Sequence, residues 1–289
     1  MADTSSSPIA TLFPGYFALV MATGIVAIGA NQQNVDLLAQ GLYVITVLAY
    51  VVLAVLLASR MIRYWSNFAA DVTNHAKGFA FLTTVAATNV LASASIVIHG
   101  WWNLAWALWW ASLVLWAAFV YTTLIAVVTD RDKPGLQGGI NGSWFLLTVS
   151  TQSIAVVAGL FLTRTDSDAL AFTAIAAFAL GVVLYLIVMT MVFLRWTFHP
   201  LDPTEADPPA WIAAGAVAIT VLAGSNILLA ADQATDRVAR LAPFLEGLVV
   251  TAWATATFWF PLMIAIGIWR HLVRRVPLRY HPSYWAMVF

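Results

Sequence analysis

Long apolar segments of two kinds alternate along the chain. Counting from the N-terminus, the first, third, fifth and seventh segments are rich in Gly, Ala, Ser and Thr, whereas the segments between them are bulky and carry most of the Trp residues. In a membrane, small residues let helix backbones approach closely, and lipid tolerates bulky apolar side chains. The alternation therefore predicts inner helices around a polar path and outer helices that face lipid.

Each of these segments is long enough to cross a bilayer. A helix needs roughly 20 apolar residues to cross a hydrocarbon core about 30 Å thick. Eight windows of this kind lie near residues 8–30, 37–59, 78–98, 102–129, 140–163, 168–194, 209–230 and 241–269. A ninth begins around Ser283 and is cut off by the end of the sequence. The predicted fold class is an all-α polytopic membrane protein, with a single transmembrane domain over residues 1–289 made of eight complete helices and the start of a ninth.

An aromatic residue near the start of each odd-numbered segment marks an internal repeat. These residues are Phe17, Phe81, Phe145 and Trp211, which are spaced 64 to 66 residues apart. The loops between an odd segment and its even successor are short, so the repeat unit is a helical hairpin. Trp285 opens a fifth copy that stops at Phe289, so we expect the chain to lack the C-terminal part of its fold.

Composition agrees with the membrane assignment and removes several function classes. The chain is 62% hydrophobic and 9% charged, and its mean hydropathy is +0.87, which lies outside the range of soluble domains. Cysteine is absent, which excludes disulfides, thiolate metal ligands and cysteine catalysis. The net charge of zero suggests no nucleic-acid partner, and no motif calls for a cofactor.

The distribution of basic residues predicts the orientation. Ten of the thirteen Lys and Arg residues fall on the side of the N-terminus and of the loops that follow even segments. They are Arg60, Arg63, Lys77, Arg131, Lys133, Arg195, Arg270, Arg274, Arg275 and Arg279. Because basic loops stay in the cytoplasm, we expect a multi-pass plasma-membrane protein with a cytoplasmic N-terminus. Residues 63–78, which connect the second and third segments, are expected to form a solvated connection, with a short interfacial helix as the alternative.

Segment five carries a polar stripe. Trp144, Thr148, Thr151 and Gln152 fall on one helical face. Hydroxyl and amide groups inside a bilayer face either protein or water, so the stripe either joins helices by hydrogen bonds or lines a path. Asn89 and Asn226 in other odd segments leave the same two alternatives open.

Recurrence of the stripe favours the path. Every odd segment has an aromatic residue followed by small or polar residues, an order that joining helices would not by itself require. The candidate lining residues outside segment five are Phe17, Met21, Gly24, Phe81, Thr84, Thr88, Trp211, Gly215, Ala218 and Ser225.

The lack of ionisable residues in the middle of the odd segments indicates the class of substrate. None carries an ionisable residue in mid-span, whereas proton-coupled carriers use buried relays and cation channels use carboxylate rings. The positive dipole ends of helices that all start on one side would favour anions. Three rivals remain: a proton-coupled dicarboxylate carrier, a membrane enzyme with a His-based cofactor site, and a non-transporting sensor. The histidines lie near span ends and no catalytic motif is present, so we expect no enzyme activity and no metal site.

Five strings resemble one known family. They are FPGYFALVMATGI at 13–25, INGSWFLLTVSTQS at 140–153, WIAAGAVAITVLAG at 211–224, TFWFPLMIAIGIWRH at 257–271 and YWAMVF at 284–289. In this order they are similar to the tellurite-resistance/C4-dicarboxylate transporter family, which includes the slow anion channels of plant guard cells.

The resemblance implies a ten-helix protomer of five hairpins, usually assembled as a homotrimer with one pore in each protomer. It also implies a pore-occluding Phe within a W-x-x-x-F-P pattern on the ninth helix. Trp285 and Phe289 match that pattern up to the end of the sequence, which makes Phe289 the candidate pore gate. A similar string, Trp259-Phe260-Pro261, matches an outer helix and is expected to be structural. The anion stays open among chloride, nitrate, malate, sulfite and tellurite.

Overall fold

A computed structural model describes residues 7–203, 208–230 and 236–288. Eight helices in these ranges are long and apolar enough to cross a membrane, so the predicted all-α polytopic membrane fold is confirmed. They are α1 Ala18–Gln32, α2 Asp36–Arg63, α3 Thr83–His99, α4 Trp102–Thr129, α5 Leu146–Leu162, α6 Asp168–Phe198, α7 Ile212–Leu229 and α8 Asp236–Ile268.

The predicted spans are correct in number and order, but two boundaries are wrong. The first helical residues follow Phe13, not residue 8, because Pro14 starts a 3₁₀ turn with its fixed φ and missing N–H. The last helix starts at Asp236 rather than 241, since Pro243 and Pro261 lie inside α8 without ending it. Each proline removes one helical hydrogen bond but does not end this helix.

Burial divides the helices into the two predicted kinds. In the most apolar stretch of the odd-numbered helices, 50 to 94% of the residues are buried, against 17 to 33% in the even-numbered ones. The even helices expose large apolar side chains such as Leu48, Val114 and Phe258. Because soluble proteins rarely expose such continuous apolar surfaces, these faces are suited to lipid.

The chain forms two compact units, one up to Gly139 and one spanning Ile140–Met287. In the first unit, α1 and α2 form one hairpin, α3 and α4 form another, and the hairpins meet through α1 and α3. The second unit repeats this arrangement with α5 to α8, and its hairpins meet mainly through α5 and α7. The helical hairpin is therefore the repeat unit in both.

The odd-numbered helices α1, α3, α5 and α7 are the inner helices, and the even-numbered ones are the outer helices. Each inner helix follows a short 3₁₀ turn, which we call its leading turn. The four leading turns are Pro14–Phe17, Gly78–Leu82, Gly142–Phe145 and Pro208–Trp211, and a fifth turn of the same kind is Pro282–Met287. The first two contact each other within the first unit, and the third contacts the fourth and the fourth the fifth within the second. Gly142 allows one of these contacts, since a Cβ there would collide with the carbonyl of Pro209.

The connection after α2 is a folded element, so the expectation of a plain solvated loop is wrong. Residues Trp65–Val72 form a short helix. The guanidinium of Arg60, which is 1% exposed, donates to the backbone carbonyls of Ala10, Leu12 and Asn67 and pairs with the carboxylate of Asp71. A buried arginine needs such partners to offset its lost hydration, and the composition of the loop did not reveal them.

Candidate functional site

The inner helices, as the structure describes them, contain no Lys, Arg, Asp or Glu, and their one histidine is His99 at the last residue of α3. Their buried polar groups are instead hydroxyls and amides, most of them on α3 and α5, with Thr23 on α1 and Thr220 on α7. Any solute moving along these faces would therefore meet neutral dipoles and helix ends. Within the described ranges, no group of three His, Cys, Asp or Glu residues could hold a metal ion.

Two threonines occupy equivalent positions in the two units. Thr84 and Thr148 each lie six residues after the glycine that opens their leading turn, in the first turn of α3 and of α5. Their side chains are 4% and 0% exposed. Neither hydroxyl has a hydrogen-bond partner in the part of the chain that the structure describes.

Neighbouring hydroxyls on the same helices behave differently. Thr88 donates to the carbonyl of Thr84 at 2.7 Å, and Thr151 donates to that of Leu147 at 2.7 Å. Such a bond to the preceding turn is the usual way for a hydroxyl to be satisfied within a membrane helix. A buried hydroxyl left without a partner costs about 1 to 3 kcal/mol. Thr84 and Thr148 are therefore two positions of the described inner helices where a fully buried hydroxyl has an unused donor.

Gln152 lies one turn beyond Thr148 and is only half satisfied. Its Nε2 donates to the carbonyl of Phe178 on α6 at 3.0 Å, and its side chain packs on Gly181. Its Oε1 has no partner among the described residues. Gln152 thus joins α5 to α6 and also leaves one buried acceptor free.

Other polar candidates lie at helix interfaces. Thr88 occupies the position equivalent to Gln152 and accepts a bond from the hydroxyl of Tyr50 on α2 at 2.9 Å, because its own proton goes to Thr84. The amide oxygen of Asn89 accepts from Ser112 on α4 at 2.9 Å. Sequence alone left Asn89 open between anchor and path, and the structure gives it an anchoring bond.

Asn226 and Gly24 are also packed between helices. The amide of Asn226 donates to the carbonyl of Val156 at 3.3 Å, which joins α7 to α5. A Cβ on Gly24 would meet Val90 of α3 and Thr46 of α2. Gly24 therefore allows the close approach of three helices and presents no side chain to a path.

The aromatic residues of the leading turns pack against outer helices. Phe17, Phe81 and Phe145 are buried. Their rings meet Tyr50, Phe119 and Tyr185 at centroid distances of 6.0, 5.6 and 5.7 Å, and Trp211 meets Phe260 at 6.4 Å. Each aromatic thus packs on the outer helix of its own hairpin. The sequence analysis did not identify these outer partners. The signal that could have indicated them is an aromatic residue 33 to 49 positions after the aromatic residue of each leading turn.

The remaining candidates divide between buried and open positions. Met21 is buried, Trp144, Gly215 and Ser225 are half-buried, and Ala218 is exposed. Ala218 and Phe260 line a groove between α7 and α8 with a volume of about 540 Å³. The candidate gate Phe289 lies outside the described residues, while Trp285 lies in the fifth turn and donates from Nε1 to the hydroxyl of Tyr280 at 3.1 Å.

Comparison with known proteins bears on this geometry. The chain is 43% identical over 110 residues to an uncharacterized membrane protein of Mycobacterium tuberculosis, which is found in two strains. These 110 residues are 37% of this chain and 53% of the relative. The chain thus spans about half the length of these curated relatives. Over 289 residues it is 24% identical to an uncharacterized transporter of Methanocaldococcus jannaschii, covering 97% of this chain and 81% of that protein.

A sequence profile covers nearly the whole chain. The profile of the SLAC1 family, described as voltage-dependent anion channel, matches residues 11–289. That span includes all eight helices and all five turns, so the repeat described above is the part of the chain that carries the match. The predicted resemblance is confirmed, and the chain is a multi-pass membrane protein that belongs to the SLAC1 (voltage-dependent anion channel) family.

Proposed function

We propose that this protein moves small anions across the plasma membrane by channel-like or facilitated permeation, along a path lined by its inner helices. The observation that carries the proposal is the pair of unpartnered, buried hydroxyls of Thr84 and Thr148, at equivalent places on uncharged inner helices of a SLAC1-family chain. A hydroxyl can donate to a passing anion and then return to its unbonded state. Hydrogen bonds to charged groups are stronger than neutral ones, so these donors would lower the barrier where an anion loses water.

Helix direction supports an anionic substrate. Within each unit the leading turns contact each other, so α1 and α3 begin at the same end of the first unit, and α5 and α7 at the same end of the second. A helix carries roughly half a positive charge at its start. Thr84 and Thr148 lie within the first turn of their helices, where this potential is strongest.

The absence of fixed charge on the inner helices supports permeation without tight binding. A guanidinium on the path would hold a dicarboxylate by two hydrogen bonds, and the described inner helices offer none. Neutral donors favour fast exchange, which is what a channel requires. Whether the anion is chloride, nitrate, sulfite, tellurite or a C4-dicarboxylate stays open on these grounds.

A proton-coupled dicarboxylate carrier of the same fold is the alternative within this class. It would need a group that binds and releases a proton during the cycle. His99 is the only inner-helix residue of that kind in the described ranges, and it lies at the end of α3 with its ring 4.6 Å from Tyr43 and 4.5 Å from Trp101. This packing in an aromatic cluster favours a structural role for His99.

Flux into proteoliposomes tests the proposal. Purified protein in vesicles should take up nitrate or chloride down a concentration gradient, at a rate that does not change when a pH gradient is imposed. Vesicles without protein provide the baseline. Uptake that occurs only with an inward proton gradient would favour the carrier, and a bound metal or haem in the purified protein would favour an enzyme.

Phe289 as the gate and a homotrimer as the assembly stay predictions of the family resemblance. Trp285, four residues before Phe289 in the sequence, lies in a turn that repeats the four leading turns and contacts the fourth. This repetition supports treating the pair as the start of a fifth inner segment. Cross-linking of the purified protein in detergent would test the trimer.

A further inference from the structure

The segment that follows α8 has the highest density of basic residues in the chain. Arg270, Arg274, Arg275 and Arg279 fall within ten residues, whereas the last acidic residue before them is Glu246 and none follows. We call residues 270–281 the basic surface. The arginines of the basic surface have no carboxylate nearby in sequence, whereas Arg131 lies between Asp130 and Asp132.

The helix end presents these arginines outward. After α8 the chain makes a widened turn over Trp269–Val273. Arg275 then adopts a left-handed conformation, with φ of 54°, and the N–H of Val276 bonds to the carbonyl of Arg270 at 3.1 Å. A left-handed residue at this place is a common way to end a helix. Beyond this helix end, Arg274, Arg275 and Arg279 are exposed.

Large apolar side chains are exposed between the arginines. Leu272, Val273, Leu278 and Tyr280 are each 65 to 75% exposed. Arg274 lies over the ring of Trp269, 5.6 Å from its centroid. Segments that mix basic and apolar side chains in this way are suited to the boundary between headgroups and acyl chains, where each kind of side chain has a partner.

We propose that the basic surface binds the phosphate groups of anionic phospholipids in the leaflet that meets this end of α8. Charge complementarity carries the proposal, because the surface has four arginines and no acid. Position supports it as well, since the arginines follow directly from a helix that is long and apolar enough to cross the bilayer. Guanidinium groups pair with phosphate oxygens by two parallel hydrogen bonds, and basic clusters beside membrane helices attract anionic lipid.

The test uses the absence of native cysteine. Leu278→Cys, labelled with bimane, is reconstituted in phosphatidylcholine vesicles that contain either brominated phosphatidylglycerol or brominated phosphatidylcholine at equal mole fraction. Bromine quenches the fluorophore only at short range. We expect quenching to report a preference of at least about threefold for phosphatidylglycerol, which shrinks at high salt.

Charge removal supplies the decisive comparison. In the same labelled background, Arg274→Gln with Arg275→Gln and Arg279→Gln should bring the preference close to one. The matched control removes three exposed basic residues elsewhere, Arg63→Gln, Arg131→Gln and Lys133→Gln, and should keep the preference. The proposal fails if the parent protein shows no preference, if the first triple variant keeps it, or if both triple variants lose it equally. Should the first triple variant not fold, Arg279→Gln alone is expected to lower the preference, and an unchanged value would overturn the proposal.

Discussion

Thr84 and Thr148 lie 64 residues apart in sequence, at the same position after two leading turns, and both hydroxyls are buried without a hydrogen-bond partner among the described residues. Each belongs to a different unit, so the same unsatisfied group appears twice in independently packed surroundings. An isolated packing defect would not be expected to repeat with the hairpin. We interpret the repetition as a functional property of the inner helices.

Cysteine accessibility measures whether Thr148 meets water. Because the chain has no cysteine, Thr148→Cys introduces a single reactive thiol. We expect small, charged methanethiosulfonate reagents to modify it in membranes. Leu147→Cys is the control, since Leu147 is about 100° away on the helix and buried, and it should stay unmodified. Equal protection at both positions would favour hydrogen bonding between helices over a path.

The buried pair of Arg60 and Asp71 should contribute measurably to stability. Asp71→Ala leaves the 1% exposed guanidinium with only backbone acceptors, so we expect it to lower the free energy of unfolding by about 2 to 4 kcal/mol. Asp168→Ala is the matched control. It breaks the exposed pair with Arg237 and should cost less than about 1 kcal/mol. Thermal unfolding in detergent compares the two, and similar losses would show that the buried network does not stabilise the N-terminal segment.

The unequal distribution of basic residues predicts a cytoplasmic N-terminus, and this topology can be tested. Lys133→Cys lies in the connection between α4 and α5, and Asp236→Cys lies at the start of α8. We expect an impermeant thiol reagent to label the Asp236→Cys variant in intact cells and the Lys133→Cys variant only after permeabilisation. The reverse pattern would place the N-terminus outside the cell.

The gate prediction concerns Phe289. A large apolar ring blocks ions by excluding water from a constriction, so Phe289→Ala should raise anion conductance in planar bilayers without changing expression. Phe260→Ala is the control, because Phe260 lies on the outer helix α8 and meets Trp211. It should conduct like the parent protein. Higher conductance from Phe260→Ala alone would move the gate to the second W-F-P string.

The sequence predicted the helices and their inner or outer class more completely than the direction of individual side chains. Apolar length and small-residue content were enough for the eight spans because both properties are averaged over a whole helix. The sequence could not predict which side of α3 or α5 would face a proposed path, because nearly every side of these helices is buried. Thr88 and Thr84 lie one turn apart, yet the hydroxyl of Thr88 bonds to Tyr50, whereas the hydroxyl of Thr84 has no partner among the described residues.

The aromatic residues of the leading turns illustrate the same limit. Phe17, Phe81 and Phe145 were correctly recognised as repeating, but the repeat was interpreted as lining. Their partners lie 33 to 40 residues later on the outer helices, and helical periodicity within one segment carries no information about them. The network of Arg60 was missed for a related reason, because its acceptors are mainly backbone carbonyls that have no sequence signature.

Anion flux through a protein that lacks both unpartnered hydroxyls tests the central claim most directly. Thr84→Val with Thr148→Val keeps the side-chain shape and removes the donors, and Thr190→Val makes the same change at an exposed position of the outer helix α6. In proteoliposomes, we predict that the double variant conducts anions at least about tenfold more slowly while its melting temperature stays the same or rises. The Thr190→Val variant should match the parent protein in both. Parental flux through a correctly folded double variant would contradict the account.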